Sequence, residues 1–192
     1  PVWRATAGSG RLRSMTYETG TDDLTIDIEG RVAVLTFNRP EARNALTPSM
    51  YVGFDRVLPQ LSVDADIGCI VLTGAGNAFC AGGDVKAMAS RKAPGSAGGP
   101  SFEARIDDLR RRQESVSLAL HELPKPVVAS IPGPAAGAGL SIALAADVRI
   151  MADSAFLTTA FAKVGFSGDF GGSWFLTQMV GTAMAKELYF TA

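Results

Sequence analysis

The chain has 192 residues, 47% of them apolar and 19% charged, which is enough for one sizeable hydrophobic core. Eighteen basic against nineteen acidic side chains leave a net charge of −1, so no electrostatic field recruits nucleic acid or an anionic membrane. No run reaches the ~18 apolar residues of a spanning helix, and Cys69, Cys80 and the single histidine, His121, supply neither a disulfide framework nor a soft metal set.

Residues 1–15 contain Gly8-Ser9-Gly10 with Arg4, Arg11 and Arg13, and lack the long apolar segment of a secretory signal. They are expected to be a disordered or artificially appended extension, with Met15 as a natural start and 16–192 as the core. Leu24 to Ile28 alternates with period two, Glu29-Gly30-Arg31 turns the chain, and Val32 to Phe37 returns, which predicts a hairpin. Thr47-Pro48 predicts a capped helix with proline at its first position, and Met50, Phe54, Val57, Leu58 and Leu61 form its apolar stripe. Ile67 to Leu72 is apolar almost throughout, as in a strand covered on both faces, so the strand–helix–strand order predicts a right-handed crossover.

Ser90 to Ser101 is rich in Gly, Ala, Pro and Ser and is expected to be a mobile loop. Ile106, Leu109, Gln113, Val116, Leu120 and Leu123 then recur at helical spacing, predicting one long amphipathic helix over 102–122 with Arg110-Arg111-Arg112 on a wet face. Pro124 and Pro126 stop it. Val127 to Ile131 is a short buried strand, and Leu140 to Ala145 a helix entered through the small-residue run 133–139. Short strands at 148–151 and 155–157 and helices at 174–180 and 182–189 complete the pattern, with Trp174 expected to be buried in its helix. The rhythm is strand, strand, helix, repeated without usable sequence identity between repeats.

Two runs of small residues come after apolar strands: Phe79-Cys80-Ala81-Gly82-Gly83-Asp84 and Gly133-Pro134-Ala135-Ala136-Gly137-Ala138-Gly139. Each can be a mere connection, but each can also aim peptide N–H groups at a negative oxygen near the start of a helix. The first lacks both the third glycine of a dinucleotide fingerprint and the Gly-Lys-Ser/Thr ending of a P-loop. Cys80 has only Asp84 as a nearby charge in sequence, which argues against a nucleophilic thiol.

Asn38-Arg39-Pro40, Asn44-Ala45-Leu46-Thr47, Leu72-Thr73-Gly74, Ala78 to Asp84, Pro124-Lys125-Pro126-Val127 and Gly137-Ala138-Gly139 together resemble the enoyl-CoA hydratase/isomerase (crotonase) family, from about Leu24 to Ala192. The resemblance implies an α/β fold, a crotonase-like spiral of strand–strand–helix units whose C-terminal helices are missing or unobserved here. It implies an acyl-CoA thioester as substrate, coenzyme A being part of that substrate with no separate cofactor, and a homotrimer or dimer of trimers. With the reduced cysteines, a cytoplasmic setting is expected. It matches Gly83 and Ala138 to an oxyanion hole, whose fixed amides would stabilise the enolate formed when a proton leaves the α carbon. It points to Arg39, Ala42, Arg43, Ala45, Ala81 and Lys86 for CoA contacts, while Asp84 is expected to cap the following turn.

The family pattern breaks at the two glutamate positions of water-adding members, which match Ser141 and Phe161. Neither can exchange a proton in their place. Asp169, in Gly165-Phe166-Ser167-Gly168-Asp169-Phe170-Gly171-Gly172, matches a carboxylate position of isomerising and dehalogenating members. It would act as a single acid/base, its pKa raised by the neighbouring phenylalanines, or it would simply cap the helix beginning near Gly171. Dehalogenation ranks below isomerisation, because no histidine follows the first loop. A hydratase with atypical catalytic residues and a non-catalytic CoA-binding protein remain the alternatives.

Overall fold

The computed structural model describes residues 16–90, 95–96 and 98–192. The expected extension over 1–15 lies outside these residues, as does part of the loop expected over 90–101. Two strands open the core as the predicted hairpin, β1 (Leu24–Glu29) antiparallel to β2 (Val32–Phe37), with Gly30 at φ 62° in the turn. Helix α1 (Pro48–Val63) begins where the sequence places it: the Thr47 hydroxyl accepts the Met50 N–H at 3.2 Å, and proline occupies the first turn, where no donor is missed. Its Met50, Phe54, Val57, Leu58 and Leu61 are all buried.

The chain then crosses to β3 (Cys69–Gly74), parallel to β2, two residues later than the apolar run alone suggests. After the short helix α2 (Val85–Ala89) comes α3 (Phe102–Gln113), a π-helical turn over Glu114–Leu118, and α4 (Ala119–His121). The single long helix read from the sequence therefore carries an inserted turn, and the two ends of its apolar stripe serve different surfaces. Val116 and Leu120 enter the core, whereas Ile106 and Leu109 stay about two-fifths exposed. Strands β4 (Val127–Ile131), β5 (Ala135–Ala136), β6 (Val148–Met151) and β7 (Leu157–Thr158) alternate with α5 (Ala138–Ala145) and α6 (Gly172–Phe190).

The main sheet runs β1-β2-β3-β4-β6, parallel from β2 onward. A second, smaller layer is assembled from the connecting segments beyond the strand ends: Leu46 bridges Gly83, Cys80 bridges Ala135, and β5 pairs with β7. Each turn of the spiral thus supplies a main strand, a short extended piece and a helix. Between the layers, Phe37 meets Phe54 and Phe79 edge-on at centroid distances of 5.8 and 5.5 Å, the arrangement that ring quadrupoles favour.

A further expectation is corrected. Trp174 is not buried but about half exposed, because its ring lies across His121 and Phe175 on the outside of α6. The two helices expected over 174–180 and 182–189 are present as the two parts of α6, divided at Gly181, whose φ of 77° and ψ of 163° break the helical path. Among the described residues no helix is long and apolar enough to cross a membrane.

Candidate active site

Both small-residue runs become tight turns of the second layer. The Gly82 carbonyl accepts the Leu46 N–H at 2.8 Å. Because a trans peptide sets its N–H opposite its carbonyl, the Gly83 N–H faces away from that bond. In the same way the Gly137 carbonyl accepts the Ser141 N–H at 3.0 Å, which turns the Ala138 N–H off the start of α5. Among the described residues neither N–H finds an acceptor, and α5 carries no side-chain cap. The turns touch: a Cβ on Gly82, at φ 85°, would sit 2.7 Å from the Ala136 oxygen and 3.1 Å from the Ala138 nitrogen. A Cβ on Gly139 would run into the Cys80 carbonyl.

Gly83 and Ala138 line a cleft of about 640 Å³, whose lining also includes Asp169, Phe170 and, from α3, Phe102, Arg105, Ile106, Asp108, Leu109 and Arg112. Asp169 does not cap α6. The N-cap is Gly171, with no side-chain hydrogen bond, and what Asp169 contributes is its backbone carbonyl, accepting from Gly172 at 3.1 Å. Its carboxylate oxygen Oδ1 is buried without a hydrogen-bond partner among the described residues. Removal from water, uncompensated by any donor, pushes its pKa up to about 6.

The positions matched to the family glutamates lie outside this cleft. Ser141 is buried, its hydroxyl donating to the Gly137 carbonyl at 3.3 Å, and the Gly172 backbone packs directly on it. Phe161 is buried and stacks on Tyr189 at 6.0 Å. Asp84 caps α2, its Oδ1 accepting the Ala87 N–H at 3.0 Å, and that bond, with the nearby Arg39, holds its carboxyl below the usual carboxylate range. Burial pushes the Cys80 thiol up to about 12, which keeps it protonated.

Of the positions matched to CoA contacts, Arg39 lines the cleft, already tied to the Ala45 carbonyl at 3.0 Å and to Asp84 at 3.5 Å. Arg43 and Ala81 are exposed and joined by a backbone bond of 2.9 Å; Lys86 is exposed, Ala42 is half-buried and Ala45 is buried. None of these five borders the cleft.

Several residues that matter here carried no functional reading in the sequence. Asn44, fully buried at φ 58°, accepts the Arg39 N–H and donates to the Ala75 and Ala78 carbonyls at 2.8, 3.0 and 2.8 Å. It clamps the loop after β2 onto the loop after β3, and its signal was an asparagine where a left-handed residue is needed. Arg112 does not share the wet face of Arg110 and Arg111: its side chain is 21% exposed against 63% and 75%. It pairs with Asp108 and lies over Tyr51, 5.0 Å from the ring centroid. Tyr51 in turn stacks on Phe170 at 6.0 Å. Among the described residues no three His, Cys, Asp or Glu side chains gather as a metal site.

The family model for enoyl-CoA hydratase/isomerase matches residues 27–192. The chain is 40% identical over 162 residues to the 1,2-epoxyphenylacetyl-CoA isomerase of Escherichia coli, covering 84% of this chain and 59% of that one. It is 36% identical over 172 residues to the short-chain-enoyl-CoA hydratase of Clostridium acetobutylicum, covering 89% and 62%. The chain thus spans about three fifths of the length of the curated relatives it matches. The fold matches the acetoacetyl-CoA complex of a Thermobifida fusca protein described as an enoyl-CoA hydratase, with a TM-score of 0.78 at 31% identity over 94% of this chain and 71% of that one. With the spiral fold, two small-residue turns flanking a cleft and this similarity along most of its length, the chain belongs to the enoyl-CoA hydratase/isomerase family.

Proposed function

We propose that the chain is the core of an acyl-CoA enzyme that moves a proton, and with it a double bond, through a thioester enolate. Asp169 as carboxylate takes a proton from one carbon of the acyl group. The electron pair left behind delocalises onto the thioester oxygen, which the Gly83 and Ala138 N–H groups hold, and Asp169 returns the proton to another carbon. No atom is gained or lost, so coenzyme A enters only as part of the substrate. The amides act where charge develops, and losing one such donor costs about 3 kcal/mol in known oxyanion holes.

The observation that carries this reading is the convergence of Gly83, Ala138 and the unpaired Asp169 carboxylate on one cleft. A pKa near 6 suits a shuttle that must both accept and release a proton near neutrality. The name of the Clostridium relative favours hydration as a second reading, but Ser141 and Phe161 offer no acid or base at the cleft. The reading extends to a homotrimer or dimer of trimers, supported by apolar Val148, Ile150 and Phe156 exposed along β6 and its exit. A monomer mass by light scattering would contradict that extension.

Enoyl-CoAs incubated in deuterated water, with wild type and Asp169→Asn, test the reading. Deuterium is expected at the α and γ carbons with wild type, at a rate that falls as pH drops through about 6, and to be almost absent with the variant. Undiminished exchange in the variant, or rapid hydration of crotonyl-CoA by wild type, would overturn it.

A further inference from the structure

The Asp169 carboxylate has no hydrogen bond of its own to aim it, so its direction is set by the backbone that carries it. That backbone is unusual. Gly168 has φ 113°, Phe170 φ 52° and Gly171 φ 71°, and Phe170 is a bulky residue in a region that side chains with a Cβ rarely adopt. A turn of this kind persists only where its surroundings enforce it.

Among the described residues, the side-chain bond tying this turn to a distant element is made by Gln113, whose Oε1 accepts the Phe170 N–H at 2.9 Å. Residues just before Gln113 secure the Phe170 ring: Asp108 holds Arg112, Arg112 covers Tyr51, and Tyr51 stacks on the ring. Gln113 is also where α3 ends and the π turn begins, and its own carbonyl accepts the Ser117 hydroxyl at 3.1 Å. Inserted π turns change the direction of side chains on one side of a helix relative to the other and recur at functional sites. Here the insertion leaves α3 facing the cleft while Val116 and Leu120 continue into the core.

We infer that Gln113 is a positioning residue for Asp169: by accepting the Phe170 N–H it fixes the strained turn that points the unpaired carboxylate into the cleft. This rests on Asp169 being the acid/base. The other groups facing that carboxylate are Tyr51 from α1 and Tyr189 from α6, with Arg105, Asp108 and Arg112 on the α3 wall. Burial pushes the Tyr51 phenol up to about 12 and the Tyr189 phenol upward, so both stay neutral through the range in which Asp169 titrates.

Gln113→Leu keeps the bulk and removes the acceptor; Gln113→Glu keeps an acceptor and adds a negative charge. In the deuterium-exchange assay the Leu variant is expected to lose 10- to 100-fold in kcat with KM within twofold of wild type, and its acid limb to move to lower pH as water reaches the loosened carboxylate. The Glu variant is expected to recover at least a third of the rate and to move the acid limb upward. Carbon-13 titration of the Asp169 carboxyl reads the same shifts without substrate, and the Glu variant supplies it should the Leu variant not fold. A Leu variant with wild-type kcat and acid limb, or a Glu variant as slow as Leu with an unmoved titration, overturns the inference while leaving Asp169 as base. Wild-type exchange by Asp169→Asn overturns both.

Discussion

Replacing Asp169 by asparagine should remove a pH-dependent loss of stability that the buried carboxyl imposes on wild type as it ionises. Asp169 moves from an ordinary 3.8 to about 6 on folding, with loss of solvent as the cause. At roughly 1.4 kcal/mol per tenfold change in proton affinity, that shift is worth about 3 kcal/mol, and about 2 kcal/mol after allowing for solvent at the less buried oxygen. A folded pKa raised above the unfolded one means that the folded chain binds more protons between those values. Wild type therefore keeps this increment below about pH 4, loses it as pH climbs through about 6, and has lost it above about pH 7. The asparagine amide does not titrate. Its own fixed cost of burial offsets the whole curve without bending it, so the quantity to follow is the difference between variant and wild type. Urea unfolding at pH 4.5, 6 and 7.5 should show the Asn variant gaining about 1.3 kcal/mol relative to wild type across that span, since about a third of the increment is already lost at pH 4.5, or about 3–5 °C in Tm for a chain of this size. Parallel stability curves would refute the account, because they would mean that Asp169 is as well solvated folded as unfolded.

Asn44→Ala removes the acceptor of the Arg39 N–H and the donor to the part-buried Ala75 and buried Ala78 carbonyls, and should cost about 3 kcal/mol or more in denaturant unfolding; a loss below about 1 kcal/mol would contradict the role of clamp. Restoring both family glutamates, as Ser141→Glu with Phe161→Glu, should give no gain in crotonyl-CoA hydration and should lower Tm, since Gly172 packs on Ser141 and Tyr189 on Phe161. A hydration rate well above wild type would show that the new carboxylates reach the cleft after all.

The hairpin, the Thr47 cap and the two small-residue turns were readable because each depends on neighbours in sequence: period-two alternation, Ser/Thr followed by proline, glycine where a Cβ would collide. Gly83, Ala138 and Asp169 stood out through the resemblance to the family's motifs, although their convergence on one cleft is a product of the spiral. Arg112 and Gln113 were not readable. Arg112 follows Leu109 by three residues and so shares its face of α3, but standing next to Arg110 and Arg111 it reads as part of a wet charge run, so an arginine assigned to solvent belongs to the cleft wall. Asn44 failed to announce itself because a polar residue in a loop reads as solvated, and its three hydrogen-bond partners come from segments up to 34 residues away. Arg39, matched to a CoA contact by the family resemblance, also braces Asp84 and the Ala45 carbonyl, an engagement that such a match does not reveal.

The kink at Gly181 has a consequence for how such a protein can be rebuilt. A straight helix would carry residue 189 about 12 Å beyond residue 181, away from the site. The bend instead brings Tyr189 onto Phe161 and beside Gly168, and lets Thr159 donate to the Leu188 carbonyl at 2.9 Å. The carboxylate and the aromatic seal behind it thus belong to one continuous stretch, from β7 to the end of α6, whereas Gly83 and Ala138 come from earlier turns of the spiral. Under the proposed reading, moving the stretch from Leu157 to Phe190 between related chains would carry the acid/base but leave behind Gln113, Arg112 and Tyr51, so such a graft would have to bring those α1 and α3 contacts with it.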